Sequence, residues 1–108
     1  MRRIYLDHAA TTPTRPEVVK AMLPYFSEKF GNASSRHSEG SEAREAVEKA
    51  RETVAGALGA KADEVVFTSG GTESDNLAVK GFAWANRAKG RRLVTTTIEH
   101  PAVLNAFK

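Results

Sequence analysis

Glu64-Val65-Val66-Phe67-Thr68-Ser69-Gly70-Gly71-Thr72-Glu73-Ser74-Asp75-Asn76 decides how this chain is built. Glu64 to Thr68 is short, β-branched and aromatic, the composition of a buried strand. Ser69 to Thr72 is a turn. From Glu73 to about Lys89, apolar residues including Leu77, Phe82 and Trp84 mark an amphipathic helix that Gly90 closes. A strand entering a helix through a glycine turn leaves backbone N–H groups unpaired at the helix start, with the positive end of the helix dipole behind them. That geometry suits an anion such as phosphate. Two glycines permit close approach to the backbone, and Thr72 adds a hydroxyl donor. The same residues also suit an ordinary capped helix, with Ser69 or Thr72 as N-cap and acids in the first turn. Glu73 and Asp75 repel a free anion unless they point away. The stretch is not a Walker A loop, because no Lys-Ser/Thr follows the glycines. It also lacks the spacing Gly-x-Gly-x-x-Gly and the leading glycine of a Gly-x-Ser-x-Gly elbow.

Working outward, Arg92-Leu93-Val94-Thr95-Thr96-Thr97 reads as a second strand, and Pro101 opens a further helical stretch from Ala102 to Lys108. On the other side, Ala43, Ala46, Val47, Ala50, Val54, Ala57 and Leu58 recur at three- and four-residue steps, predicting a helix from Ser38 or Ser41 to Leu58 with Gly59 at its C-cap. Its other face, rich in Glu, Arg and Lys, belongs to solvent. Pro16 suits a first helical position, with Val18, Val19, Met22, Leu23 and Phe26 as the apolar face and a kink or break at Pro24. Gly31 ends that helix, and Asn32-Ala33-Ser34-Ser35 is loop. Tyr5-Leu6 is a candidate third strand, leading into the polar loop Asp7 to Pro13. Strands alternating with helices argue an α/β architecture with parallel strands. So few strands leave a doubly wound sheet incomplete, so the expected reading is the N-terminal portion of a longer chain, not stable as an independent domain.

Composition narrows the classes. The 108 residues are 41% hydrophobic and 27% charged, as in ordinary globular domains. The absence of cysteine excludes a disulfide scaffold, a thiolate metal site and a cysteine nucleophile within these residues. No apolar run reaches the ~20 residues of a membrane span. The N-terminus meets Asp7 and His8 before a signal-peptide core forms, so a soluble, cytoplasmic protein is expected. A net charge of +3 does not by itself make a nucleic-acid binder. Arg87, Lys89, Arg91 and Arg92 have no aromatic residue interleaved for base stacking, and read as a solvated helix end.

Among the histidines, His100 follows a strand end, where open α/β sheets bind ligands. Pro101 restricts its backbone toward extended geometry. His8 and His37 lie in polar loops and are weaker candidates. Asp7, His8 and Ser34 or Ser35 have the residue types of a catalytic triad, but nothing in the sequence fixes their geometry. No two histidines stand at metal-ligand spacing, and no metal is expected.

Four stretches then carry a resemblance: Tyr5-Leu6-Asp7-His8-Ala9-Ala10-Thr11-Thr12-Pro13, Gly31-Asn32-Ala33-Ser34-Ser35-Arg36-His37, Val66-Phe67-Thr68-Ser69-Gly70-Gly71-Thr72-Glu73-Ser74-Asp75-Asn76 and Ile98-Glu99-His100-Pro101-Ala102-Val103-Leu104. In order and spacing they closely resemble the N-terminal part of cysteine desulfurases, pyridoxal-phosphate (PLP) enzymes of the class V aminotransferase group. Ala33 departs from the family, which often has proline there. The resemblance implies a PLP-dependent transferase fold, a mostly parallel sheet covered by helices and incomplete in this chain. It divides the chain into an N-terminal segment and active-site loop (1–15), N-terminal helices (16–60) and the start of the large PLP-binding α/β domain (61–108). It implies that Gly71 and Thr72 bind the cofactor phosphate, and that His100 lies against the pyridine ring and moves protons. It further implies conversion of L-cysteine to L-alanine, with sulfur delivered as a persulfide for iron–sulfur cluster assembly or tRNA thiolation. The implied partners are a second copy in a homodimer and a sulfur-acceptor or scaffold protein, with neither a membrane nor direct nucleic-acid binding by this segment. The family's Schiff-base lysine, the aspartate on the pyridine nitrogen and the sulfur-accepting cysteine lie beyond the matched segment. A selenocysteine lyase or another class V PLP lyase is the nearest alternative enzyme, and a non-catalytic fragment or interaction module the alternative of another class.

Overall fold

The computed structural model describes residues 3–108. Met1 and Arg2, which begin the segment expected over 1–15, lie outside them. The chain forms two compact units, one ending at Val65 and one beginning at Val66.

In the first unit, α1 spans Pro16–Met22, with Pro16 in its first turn and Glu17 and Lys20 at the ends that favour their charges. Pro24 has no N–H to continue the α ladder, and Leu23–Phe26 tightens into a 3₁₀ turn, the break expected there. The long helix α2 covers Ser38–Leu58 and ends on Gly59, whose φ of 66° is left-handed. The Gly59 amide bonds to Gly56 O and the Ala60 amide to Ala55 O, satisfying the last carbonyls. Ala55, only 2% exposed, is buried on α2, and the 3₁₀ turn Ala62–Glu64 packs against this helix.

The start of α2 is pinned to the loop before it. Gly40 is buried, and a Cβ added there would lie 2.5 Å from Ser35 O and 2.8 Å from Asn32 O. Gly31 is as tightly placed, its Cβ position 2.1 Å from Glu39 O. Arg44, one turn on, donates to Ala33 O and Ser35 O, each at 2.9 Å. The Asn32 side chain accepts from the Ser34 amide at 2.9 Å. Glycines where backbones touch and an arginine across the loop give residues 31–37 one conformation.

In the second unit, α3 (Gly71–Asn76) continues through a π-helical turn, Leu77–Gly81, into α4 (Phe82–Ala85). The helix stops at Ala85, short of the expected Lys89, because the Asn86 side chain donates to Phe82 O at 3.0 Å and offers the backbone an alternative to another turn. The last helix, α5, is Pro101–Ala106, and it packs against α3 and buries Ala106.

The expected strands are not formed within this chain: none of the described residues at Tyr5-Leu6, Glu64–Thr68 or Arg92–Thr97 is in a strand. Glu64 closes the 3₁₀ turn, and Val65 is extended (φ −101°, ψ 123°). A strand exists only as a ladder with a neighbour. Val65 O instead accepts from the Arg51 guanidinium, and residues 91–97 lie exposed. The β-branched composition marks a preference for a pleated, covered surface, and no partner strand among the described residues provides one. No helix among the described residues is long and apolar enough to cross a membrane.

Candidate functional site

The turn before α3 has the donor geometry its sequence predicts, with a different cap. Gly70, extended, occupies the N-cap position without a side-chain cap, in place of Ser69 or Thr72. The Ser74 amide closes the first turn on Gly70 O at 3.1 Å. The amides of Gly71, Thr72 and Glu73 have no acceptor among the described residues. Nothing lies within 4 Å of a Cβ built on Gly70 or Gly71, so the space above these donors is open.

The acid beside them is held elsewhere. Glu73 Oε2 accepts from the Ser69 hydroxyl at 2.7 Å and from the Ser69 amide at 2.8 Å. These two donors, the hydroxyl foremost, hold the carboxyl below its ordinary value. The turn is braced again by Thr68 Oγ1, 2.6 Å from Ser74 Oγ and 3.2 Å from Gly70 O. Asn76 returns to Thr72 O at 2.9 Å, holding the first turn from its far side. Three unclaimed N–H groups, an open approach and a neighbouring hydroxyl fit a phosphate.

His100 is the N-cap of α5, extended at φ −59° and ψ 145° as Pro101 requires. Its Nδ1 accepts from the Ala102 amide at 3.1 Å, and its carbonyl accepts from Val103 (2.9 Å) and Leu104 (3.1 Å). Because α5 packs against α3, the helices carrying Gly71, Thr72 and His100 are neighbours within one unit. All three residues are exposed. A concavity of about 950 Å³, lined by residues between 82 and 93, contains none of them. The candidate site rests on its donors and not on a cavity.

The weaker candidates separate. The His8 ring meets Tyr5 edge-on, centroids 5.1 Å apart, while His37 caps α2 by accepting from the Gly40 amide at 3.3 Å. Asp7, His8 and Ser34 or Ser35 share no hydrogen bond among the described residues. Glu39 is held below its ordinary value by its own backbone amide, Ser38 and His37. Sequence reasoning missed the two histidine caps, the Arg44 clamp and the Ser69–Glu73 contact. A signal existed for the last, since Ser69 and Glu73 stand four apart across a glycine turn. None existed for the π turn.

Comparison with known proteins adds a family, two relatives and two solved structures. The profile of the family described as aminotransferase class-V matches residues 4–108. The chain is 58% identical over 103 residues to the cysteine desulfurase IscS of Dictyoglomus turgidum, covering 95% of this chain and 26% of that protein. It is 55% identical over 104 residues to the cysteine desulfurase IscS of Methanosarcina thermophila, covering 96% and 26%. Among solved structures, a NifS-like protein superposes with a TM-score of 0.89 at 42% identity, covering 98% of this chain and 29% of that one. A structure titled SspA in complex with cysteine gives a TM-score of 0.81 at 43% identity, covering 92% and 28%. The chain thus spans about a quarter of the length of the curated relatives it matches.

Proposed function

Because the chain belongs to the aminotransferase class-V family, we propose that the whole protein is a PLP-dependent cysteine desulfurase. It converts L-cysteine to L-alanine and passes the sulfur, as a persulfide, to an acceptor or scaffold protein serving iron–sulfur assembly or tRNA thiolation. The observation that carries the reading is the set of unclaimed amides at Gly71, Thr72 and Glu73, with open space above them. The relatives named cysteine desulfurase and the cysteine-bound neighbour support the choice of substrate.

In this reading Gly71 and Thr72 hold the cofactor phosphate through their amides and the Thr72 hydroxyl, while the dipole of the helix begun by α3 favours the negative charge. Ser69 keeps the Glu73 carboxylate engaged. His100, which caps the start of α5, would lie against the pyridine ring and move protons there. When bound, PLP supplies the electron sink for bond cleavage at the substrate. The thiol that takes the sulfur is not among these 108 residues, which contain no cysteine. Residues 1–15 form an N-terminal segment and active-site loop, 16–60 the N-terminal helices and 61–108 the start of a large α/β domain. There, residues 64–68 and 92–97 join a mostly parallel sheet. The protein works as a homodimer in the cytoplasm.

The test is made on the full-length protein, by the visible absorbance of bound PLP and by alanine released from cysteine. Thr72→Val removes one donor at nearly constant volume and is expected to weaken PLP binding by about 1–3 kcal/mol. An unchanged PLP dissociation constant removes Thr72 from the site. A native protein that neither binds PLP nor releases alanine overturns the reading.

A further inference from the structure

We propose that Glu73 is the positioning residue of the anion-facing turn, and that it acts through its acceptor oxygen and against its own charge. That the anion is a cofactor phosphate rests on the proposed function, whereas the clasp made by Glu73 does not.

The turn needs an outside support. Gly70 and Gly71 stand side by side with nothing within 4 Å of either Cβ position. Gly70 also occupies the N-cap, so no side-chain oxygen steadies the first turn of α3 from there. Glycine has more backbone states to lose on ordering than any other residue, so a turn built on two of them has little shape of its own. What shapes it lies on either side. Ser69 reaches Glu73 and Thr68 reaches Ser74, so two side-chain pairs nest around Gly70-Gly71-Thr72. The inner pair makes two bonds: Glu73 Oε2 accepts from the Ser69 hydroxyl at 2.7 Å and from the Ser69 amide at 2.8 Å. In the outer pair the two hydroxyl oxygens stand 2.6 Å apart, and Thr68 Oγ1 also donates to Gly70 O at 3.2 Å. Both pairs close locally, without a neighbouring strand. Glu73 is the residue that returns from the helix to the far side of the glycines, and it does so through a single oxygen.

The charge of Glu73 works the other way. Its donors hold the carboxyl below its ordinary value, so it is ionised near neutral pH. An ionised carboxylate in the first turn repels a phosphate held by the amides of the same turn. Two donors on one oxygen offset part of that repulsion and leave the rest. The acceptor therefore favours anion binding, by ordering the amides beforehand, and the charge opposes it.

Glutamine separates the two effects. Its amide oxygen has the reach of the carboxylate and accepts from both Ser69 donors without a charge, whereas alanine removes acceptor and charge together. The experiment measures the PLP dissociation constant of the full-length protein, Glu73→Gln and Glu73→Ala by visible absorbance, and hydrogen exchange at the Ser69 and Ser74 amides of the PLP-free proteins. Glu73→Ala should bind PLP about tenfold more weakly, the scale of one lost hydrogen bond, and exchange faster at both amides. Glu73→Gln should match or exceed the native affinity and keep the native exchange. Ser69→Ala, which keeps the amide donor and loses the hydroxyl, should fall between native and Glu73→Ala, and it replaces Glu73→Ala should that variant not fold. Equal weakening in Glu73→Gln and Glu73→Ala would assign the effect to charge and overturn the proposal, as would native affinity in both. Failure of the native protein to bind PLP would instead defeat the functional reading. The clasp is then read by exchange alone: faster exchange in Glu73→Ala but not in Glu73→Gln upholds it, and equal exchange in the two overturns it.

Discussion

Two glycines of α2 should respond to alanine with opposite signs. At Gly40 an added Cβ sits 2.5 Å from Ser35 O, 2.8 Å from Asn32 O and 2.8 Å from Ser35 Cβ. Two of these atoms are backbone, and neither is free to retreat. Ser35 O accepts from Arg44 Nη2 at 2.9 Å, and Asn32 O accepts from the Ser35 amide at 2.9 Å. Overpacking costs about 1–3 kcal/mol, and losing one charge-assisted hydrogen bond costs about 1.5–3 more. Against these stands the gain of ~1 kcal/mol when alanine replaces a helical glycine. Gly40→Ala should therefore destabilise the protein by about 1.5–5 kcal/mol. At Gly56 nothing lies within 4 Å of the Cβ position, so only the helical gain remains, about 0.5–1 kcal/mol in favour of alanine. Urea unfolding of the full-length protein reads both, and hydrogen exchange locates the change. In Gly40→Ala the amides of Ser35 and Ser41 should exchange faster than in the native protein. Equal midpoints for the two variants, or unchanged exchange at these amides, would refute the close approach of loop and helix.

Two further outcomes follow from hydrogen bonds. Arg44→Met keeps much of the side-chain bulk but removes both donors to Ala33 O and Ser35 O, and should cost about 1–3 kcal/mol, read as loosened exchange confined to residues 32–36. Glu73 is lowered from its ordinary value of 4.5 by Ser69. Its stabilisation is therefore complete above that value and disappears as pH falls through the lowered folded value. The stability difference between native protein and Glu73→Gln should be constant near neutral pH and vanish in acid, and a difference that persists in acid would contradict the assignment.

The helices were legible in the sequence where a single local signal decides them. Ala43, Ala46, Val47, Ala50 and Val54 put three- and four-residue spacing across 21 residues, and Gly59 ended the run in the only backbone state suited to it. Pro16, Pro24 and Pro101 marked a start, a break and a start because a missing N–H acts wherever the chain goes. The candidate donors at Gly71 and Thr72 could be read for the same reason, since a glycine turn before a helix is local. What the sequence did not disclose depends on distant partners or on side chains competing with the backbone. Residues 64–68 and 92–97 have strand composition, but composition does not supply a neighbouring strand. Asn86 stopped a helix that Lys89 and Gly90 suggested would continue. His37 and His100 act as caps through ring nitrogens, which no spacing rule for histidine anticipates.

The π turn at Leu77–Gly81 separates the two ends of one helical rod. Each α-helical residue advances the azimuth by about 100°, and a π turn accommodates one residue more than the surrounding pitch. The turn thus absorbs a residue that, in an unbroken α-helix, would rotate everything after it by about 100°. Deleting one residue within 77–81 would restore regular pitch with Phe82 and Trp84 facing much as they do, whereas a deletion in the helix outside this turn would re-aim them. One residue of length can consequently be lost at this turn without turning the two ends of the rod against each other.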